Sequence, residues 1–142
     1  MLVRNVMKTA IDAFREDDTV KVLAMRMRDV ATGFVPVCDR QGHPVGTVSD
    51  YDIVRQVCAE DRLASETLAG DIMEREIITC YDDDELAVAE ERMNDTHKAR
   101  ILVLDRDQKL AGVITLADVF GAEDDHRAVE TARHVVEREY LA

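Results

Sequence analysis

At 142 residues the chain is long enough for one compact domain to bury roughly 70% of its unfolded surface without a disulfide or metal staple. Its 30 acidic and 18 basic side chains give a formal charge of -12, which opposes phosphate neutralisation and argues against nucleic acid as a partner; screening over about 8 Å still lets a locally basic pocket hold a small anion. No apolar run approaches the roughly 18 residues of a membrane span, and Cys38, Cys58 and Cys80 stand at irregular spacing with no secretory segment, which predicts reduced packing residues in a cytoplasmic protein.

In chain order, the first expected element is a short helical lead-in ending at Val6-Met7, then an extended stretch from Ile11 to Phe14. Asp17-Asp18-Thr19 offer N-cap oxygens and favourable charge to a helix whose Val20, Leu23, Ala24, Met27 and Val30 recur at steps of three and four. Phe34 to Cys38 reads as a strand, with Pro36 placing it at an edge because proline donates no ladder hydrogen bond. The turn sequence DRQGHP leads into a second strand, Val45 to Val48, and so predicts a hairpin. A helix starts at Ser49, and a polar linker runs from about Ala59 to Thr67.

The order then restarts. A lead-in ends at Ile72-Met73, an extended stretch covers Ile77 to Cys80, and Asp82-Asp83-Asp84 open a helix that keeps Leu86, Ala89 and Met93 in phase. Strands at Ile101–Leu104 and Ala111–Ile114 flank the turn DRDQK, and a helix begins at Thr115. After Gly121 a terminal helix is expected, with Val129, Ala132, Val136 and Tyr140 near one side. Glu123, His126, Glu130, His134 and Glu137 share helical spacing there, but two histidines two turns apart do not close around one ion, so they read as a solvated face and not as metal ligands.

The restart is a duplication. At a fixed offset of 66 residues, 13 of the 50 positions from Asn5 to Val54 are identical without a gap. A repeat of this length is a whole supersecondary unit. The expected fold is therefore α+β: two β-α-β-β-α repeats, residues 2–60 and 68–121, packed about a pseudo-twofold axis, with a helical extension over 122–142.

Two segments stand in phase with the repeat, GTVSDYD at 46–52 and GVITLAD at 112–118, both of the form Gly-x-Val/Ile-Ser/Thr-x-x-Asp. A hydroxyl followed three residues later by an acid is a helix-capping signature. It is also a ribonucleotide signature: Ser49 or Thr115 at a strand-to-helix turn offers a hydroxyl beside free N–H groups for a phosphate. One turn later Asp52 or Asp118 offers two acceptor oxygens to the hydroxyls of a ribose, at about 1.5–3 kcal/mol per charge-assisted hydrogen bond.

On these residues the chain, from Leu2 to about Gly121, resembles a pair of cystathionine-β-synthase-type (CBS) domains, a regulatory module whose tandem copies bind adenosine-containing ligands in clefts between them. The resemblance implies two ligand sites per pair and a homodimer formed through helices. It implies that Asp52 and Asp118 hold ribose, and that Ser49 and Thr115 lie on the phosphate side. The base would lie against Ile11 to Ala13 and Thr32 to Val35, including Phe34, in one copy, and against Ile78 to Cys80 and Lys98 to Ile101 in the other. His97, Lys98 and Arg100 favour the second site for a charged tail such as that of AMP, ADP or ATP, with S-adenosylmethionine as a further regulatory ligand. Ala13 stands where the second copy has Thr79, the hydroxyl residue usual in the family, so the first site departs from the pattern. The function expected is a cytoplasmic, non-catalytic sensor that signals to a protein partner; the rival is a dimeric scaffold that needs no ligand. No Ser/His/acid or Cys/His arrangement repeats in phase, and there is no glycine-rich phosphate loop of hydrolase type, so an enzyme is the weakest reading.

Overall fold

A computed structural model of the chain describes residues 1–122, 130 and 131. Two compact units account for them. A central unit runs from Asp12 to Ile77, and a terminal unit joins Met1–Ile11 to the described residues from Ile78 onward. Each unit thus takes its strands and helices from one repeat and its lead-in from the other.

In the central unit, α1 spans Val20–Val30 and buries Val20, Leu23 and Met27. Thr19 caps it, its hydroxyl accepting from the Val22 N–H at 3.4 Å. Val30, expected on the buried face, is exposed, because the helix closes there: Ala31 turns left-handed at φ 54° and its N–H returns to the Met27 carbonyl. Strands β1 (Phe34–Cys38) and β2 (Pro44–Ser49) pair antiparallel, with Phe34 opposite Ser49. Asp39 Oδ1 organises the hairpin turn by accepting from the N–H groups of Gln41 and His43, each at 2.9 Å. Helix α2 (Asp50–Ile53) continues into a π-helical turn at Val54–Cys58, and α3 is Ala69–Ile72. Leu23, Val37, Val48, Val57 and Ile72 lie in the core.

The terminal unit repeats the plan after a 3-10 turn at Val3–Asn5. Its elements are β3 (Thr79–Tyr81), α4 (Leu86–Thr96), β4 (Arg100–Leu104), β5 (Leu110–Thr115) and α5 (Leu116–Ala122). Strand β3 runs parallel to β4, which pairs antiparallel with β5. Val3, Met93, Ile101, Val103 and Ile114 are among its buried core. The architecture is α+β, as the pattern predicts.

The structure departs from the sequence reading in three places. First, Asp18 and Asp84 do not cap the helices that follow them; each carboxylate closes the preceding turn, accepting from the N–H of Arg15 and of Tyr81 at 2.8 Å. The N-cap of α4 is Glu85, whose side chain makes no capping bond. Second, the opening strand of the central unit is reduced to one bridge, Phe14 with Val37. The cause is Pro36. Its counterpart Leu102 donates to the Ile78 carbonyl at 3.0 Å, and proline has no N–H to do the same. Third, the terminal helix expected over 122–142, with Glu123, His126, His134 and Glu137, lies outside the described residues apart from Ala122, Glu130 and Thr131. The Thr131 hydroxyl donates to buried Glu90 of α4 at 3.4 Å. No helix among the described residues is long and apolar enough to cross a membrane.

Candidate functional site

The first glycine of each Gly-x-Val/Ile-Ser/Thr-x-x-Asp segment has a packing role that positions everything after it. A lead-in lies flat against the second hairpin strand of each unit. In the terminal unit Lys8 and Val113 exchange N–H···O bonds of 2.9 and 3.0 Å, and in the central unit Glu74 and Thr47 exchange bonds of 2.8 and 3.0 Å. A Cβ on Gly112 would stand 2.6 Å from the Lys8 carbonyl oxygen; one on Gly46 would stand 2.7 Å from Met73 Sδ and 2.9 Å from the Glu74 carbonyl oxygen. Without a side chain there, the lead-in delivers residue 8 or 74 to the strand that carries the site.

Three residues further on, the strand turns into a helix. Ser49 N–H donates to Asp52 Oδ2 at 2.9 Å, and Asp52 N–H donates to Ser49 Oγ at 3.1 Å. Thr115 and Asp118 form the same reciprocal box, at 2.8 and 3.2 Å, and the Thr115 hydroxyl adds a bond to Asp118 Oδ2 at 2.9 Å. In both units one carboxylate oxygen is consumed by capping. The second oxygen faces a flexible cation: Arg55 Nη2 is 3.4 Å from Asp52 Oδ1, and Lys8 Nζ is 4.0 Å from Asp118 Oδ1. Both aspartates are largely covered, with side chains 13% and 14% exposed, whereas Arg55 and Lys8 are 53% and 61% exposed. With the cation ends exposed and the contacts long, at 4.0 and 3.4 Å, these pairs are weak and the cations are readily displaced.

The strand entries lie beside these turns. Phe34 is opposite Ser49 and Arg100 opposite Thr115, and the backbones are tied by Asp50 N–H to the Gly33 carbonyl at 2.9 Å and Leu116 N–H to the Ala99 carbonyl at 2.7 Å. Thr79 stands on β3 opposite Leu102, and Lys98 is exposed just past His97, the left-handed C-cap of α4. In the terminal unit Thr79, Arg100, Thr115 and Asp118 therefore share one small sheet and the helix that leaves it. The central unit brings Phe34 to Ser49 and Asp52 but leaves Ala13 exposed on a segment with no regular strand, and Ile11 belongs to the terminal unit.

The two turns differ in charge. Asp50 lies against Gly33, its Oδ2 only 2.5 Å from the position of a Cβ there. Around Ser49 the segments carry Asp50, Asp52 and Glu74 against Arg55, whereas around Thr115 they carry Asp118 against Lys8, Lys98 and Arg100. Sequence reasoning missed Lys8, Glu74 and Arg55. The signal for the first two was available, because the 66-residue offset pairs Lys8 with Glu74 as a charge reversal.

Two other features are separate from these turns. Burial pushes the Cys38 thiol up to about 11 and the Cys80 thiol to about 12, with Asp39 and Asp84 adding to the shift, so both stay protonated at neutral pH. A depression of about 540 Å³ lined by Arg15, Glu16, Asp17, Cys38, Asp39 and Arg40 lies at the far end of β1 from Ser49. At the equivalent place in the terminal unit, Arg106 stacks 4.0 Å over the Tyr81 ring and grips Asp83 at 2.7–3.1 Å.

Comparison with known proteins places this geometry in a family. The CBS domain model matches twice, at residues 3–59 and 69–125. An uncharacterized protein of Methanopyrus kandleri is 29% identical over 106 residues, 75% of this chain and 54% of that protein. An arabinose 5-phosphate isomerase of Escherichia coli is 31% identical over 116 residues, 82% of this chain and 35% of the isomerase. The chain thus spans about half or less of these relatives. Among solved structures, a CBS domain protein from Pyrobaculum aerophilum complexed with AMP superposes with a TM-score of 0.78 at 23% identity, covering 93% of this chain and 98% of that one. The CBS domain pair of protein MJ0100, in complex with 5′-methylthioadenosine and S-adenosyl-L-methionine, superposes at 0.73 with 20% identity, covering 87% and 98%. With two tandem matches that take in most of its length, the chain belongs to the CBS domain family.

Proposed function

We propose that the protein is a non-catalytic regulatory module that binds an adenosine-containing nucleotide, AMP, ADP or ATP, or S-adenosylmethionine, through the Ser49–Asp52 and Thr115–Asp118 turns. One observation carries the reading: in each unit a covered aspartate keeps Oδ2 in the helix cap and presents Oδ1 to a displaceable cation. A ribose hydroxyl replaces that cation without cost to the cap; the turn N–H groups expected to meet a phosphate are engaged instead, those of Ser49 and Thr115 with Asp52 and Asp118 and those of Asp50 and Leu116 with the Gly33 and Ala99 carbonyls, so a phosphate relies on side-chain cations. Family membership and the adenosine ligands of the two structural neighbours support it. The ligand acts by favouring one of two arrangements that a protein partner distinguishes, which requires different affinities for the two. We assign this role to a cytoplasmic homodimer; the exposed apolar residues Val22, Met25 and Val30 on α1 support an assembly of copies.

A second reading, a scaffold that needs no ligand, is favoured by the completeness of both capping boxes, which gives Ser49, Asp52, Thr115 and Asp118 a structural role already. Calorimetric titration with AMP, ADP, ATP and S-adenosylmethionine separates the two. Saturable heat with at least one of them is the expected result, and silence from all four leaves the scaffold.

A further inference from the structure

We propose that the two lead-in segments set the ligand charge each site accepts: Lys8 makes the terminal unit select an adenosine ligand with an anionic phosphate tail, and Glu74 makes the central unit reject one. The inference rests on the adenosine reading above and adds specificity to it. Lys8 and Glu74 occupy the same register position, each fixed by a reciprocal pair of backbone bonds to the strand leading into the site turn. Each backbone is held to its strand; from there Lys8 extends to Asp118, while Glu74 holds its negative charge on the lead-in, Oε1 accepting from the Glu76 N–H at 3.1 Å. The Lys8 ammonium already reaches Asp118, at 4.0 Å from Oδ1, through an exposed arm. A ribose that takes Oδ1 releases it, and the nearest new anion is the phosphate on the Thr115 side. Arg100, opposite Thr115, and Lys98 add charge of the same sign at the strand entry.

In the central unit the corresponding groups repel that phosphate. Glu74 replaces Lys8, Asp50 replaces Leu116 beside the turn, and Phe34 replaces Arg100. Arg55, supplied by the π-helical turn, is the cation set against Asp50, Asp52 and Glu74 in these segments. That site fits an adenosine ligand whose tail is neutral or cationic.

The test titrates AMP and adenosine into the full chain and into the variants K8E and E74K. Adenosine reports the sugar and base contacts and doubles as a check of folding. In K8E, AMP affinity falls roughly tenfold or more while adenosine affinity changes less than about threefold, and the difference shrinks at high salt. In E74K, AMP gains affinity or a second equivalent while adenosine is unchanged. Equal changes for AMP and adenosine in K8E, or an unaltered AMP isotherm in K8E, overturn the inference. So does an unaltered AMP isotherm in E74K, which keeps the test decisive where K8E fails to fold. Wild-type protein that binds neither compound overturns the inference, and silence from ADP, ATP and S-adenosylmethionine as well overturns the adenosine reading itself.

Discussion

The central and terminal units are copies of one design, and they diverge at the end of the sheet that carries the site. In the terminal unit β3 completes a three-stranded sheet, and the site turn is bordered by Lys8 and Arg100. In the central unit the sheet has two strands, the opening segment touches β1 at a single bridge, and Asp50 and Glu74 stand near the turn. The capping boxes are the same to within 0.1 Å in both backbone bonds. Duplication has kept the capping box and let the charged residues around it diverge, Lys8 and Arg100 in one unit standing where the other has Glu74 and Phe34.

Removing the glycine that seats each lead-in is the largest way to break the symmetry. In Gly112→Ala the new Cβ meets a backbone carbonyl at 2.6 Å, whereas in Gly46→Ala its closest neighbour is the flexible Met73 thioether, with the carbonyl at 2.9 Å. Both changes destabilise, by about 1–3 kcal/mol, with Gly112→Ala the worse in denaturant titration. Equal costs would show that the two lead-ins are held alike.

Exchanging the residues that decide the third strand tests the next difference. Leu102→Pro removes the bond to the Ile78 carbonyl and leaves it unpaired, at about 1–3 kcal/mol. Pro36→Leu supplies the missing donor, gains at most about 1 kcal/mol, and introduces a slowly exchanging amide at position 36. Rapid exchange at that amide would mean that something other than proline keeps the opening segment of the central unit out of the sheet.

The two units also differ in a pH dependence. Cys38 and Cys80 are raised from the ordinary thiol value of 9.0 to about 11 and about 12, chiefly by burial. The unfolded chain therefore loses these protons first. Stability is complete below about pH 9 and declines as pH rises toward 11 for the central unit and 12 for the terminal one. Cys80→Ala flattens the upper part of that decline in melts across pH; an unchanged slope would place the cause elsewhere.

Much of this was legible in the sequence because period and phase are local properties. Leu86, Ala89 and Met93 fall on the buried face of α4 as their spacing predicts, and the paired Gly-x-Val/Ile-Ser/Thr-x-x-Asp segments land on matching strand-to-helix turns. The edge character of Pro36 was legible too, although its consequence, a strand lost from one unit, depends on which side of β1 its nitrogen faces. What stayed hidden was long-range. Asp18 and Asp84 look like helix caps until the turn behind them claims their oxygens, and Lys8 and Glu74 look like linker charges until the lead-ins are seen docked on β5 and β2.

The central claim is that Asp52 and Asp118 hold ribose and that the terminal site is the stronger for a phosphorylated ligand. Calorimetry of AMP against Asp118→Ala and Asp52→Ala, side by side, tests it most directly. The account predicts a loss of roughly tenfold or more for Asp118→Ala, from one charge-assisted hydrogen bond, and less than about threefold for Asp52→Ala. Equal losses, or AMP binding untouched by Asp118→Ala in a folded protein, would contradict it.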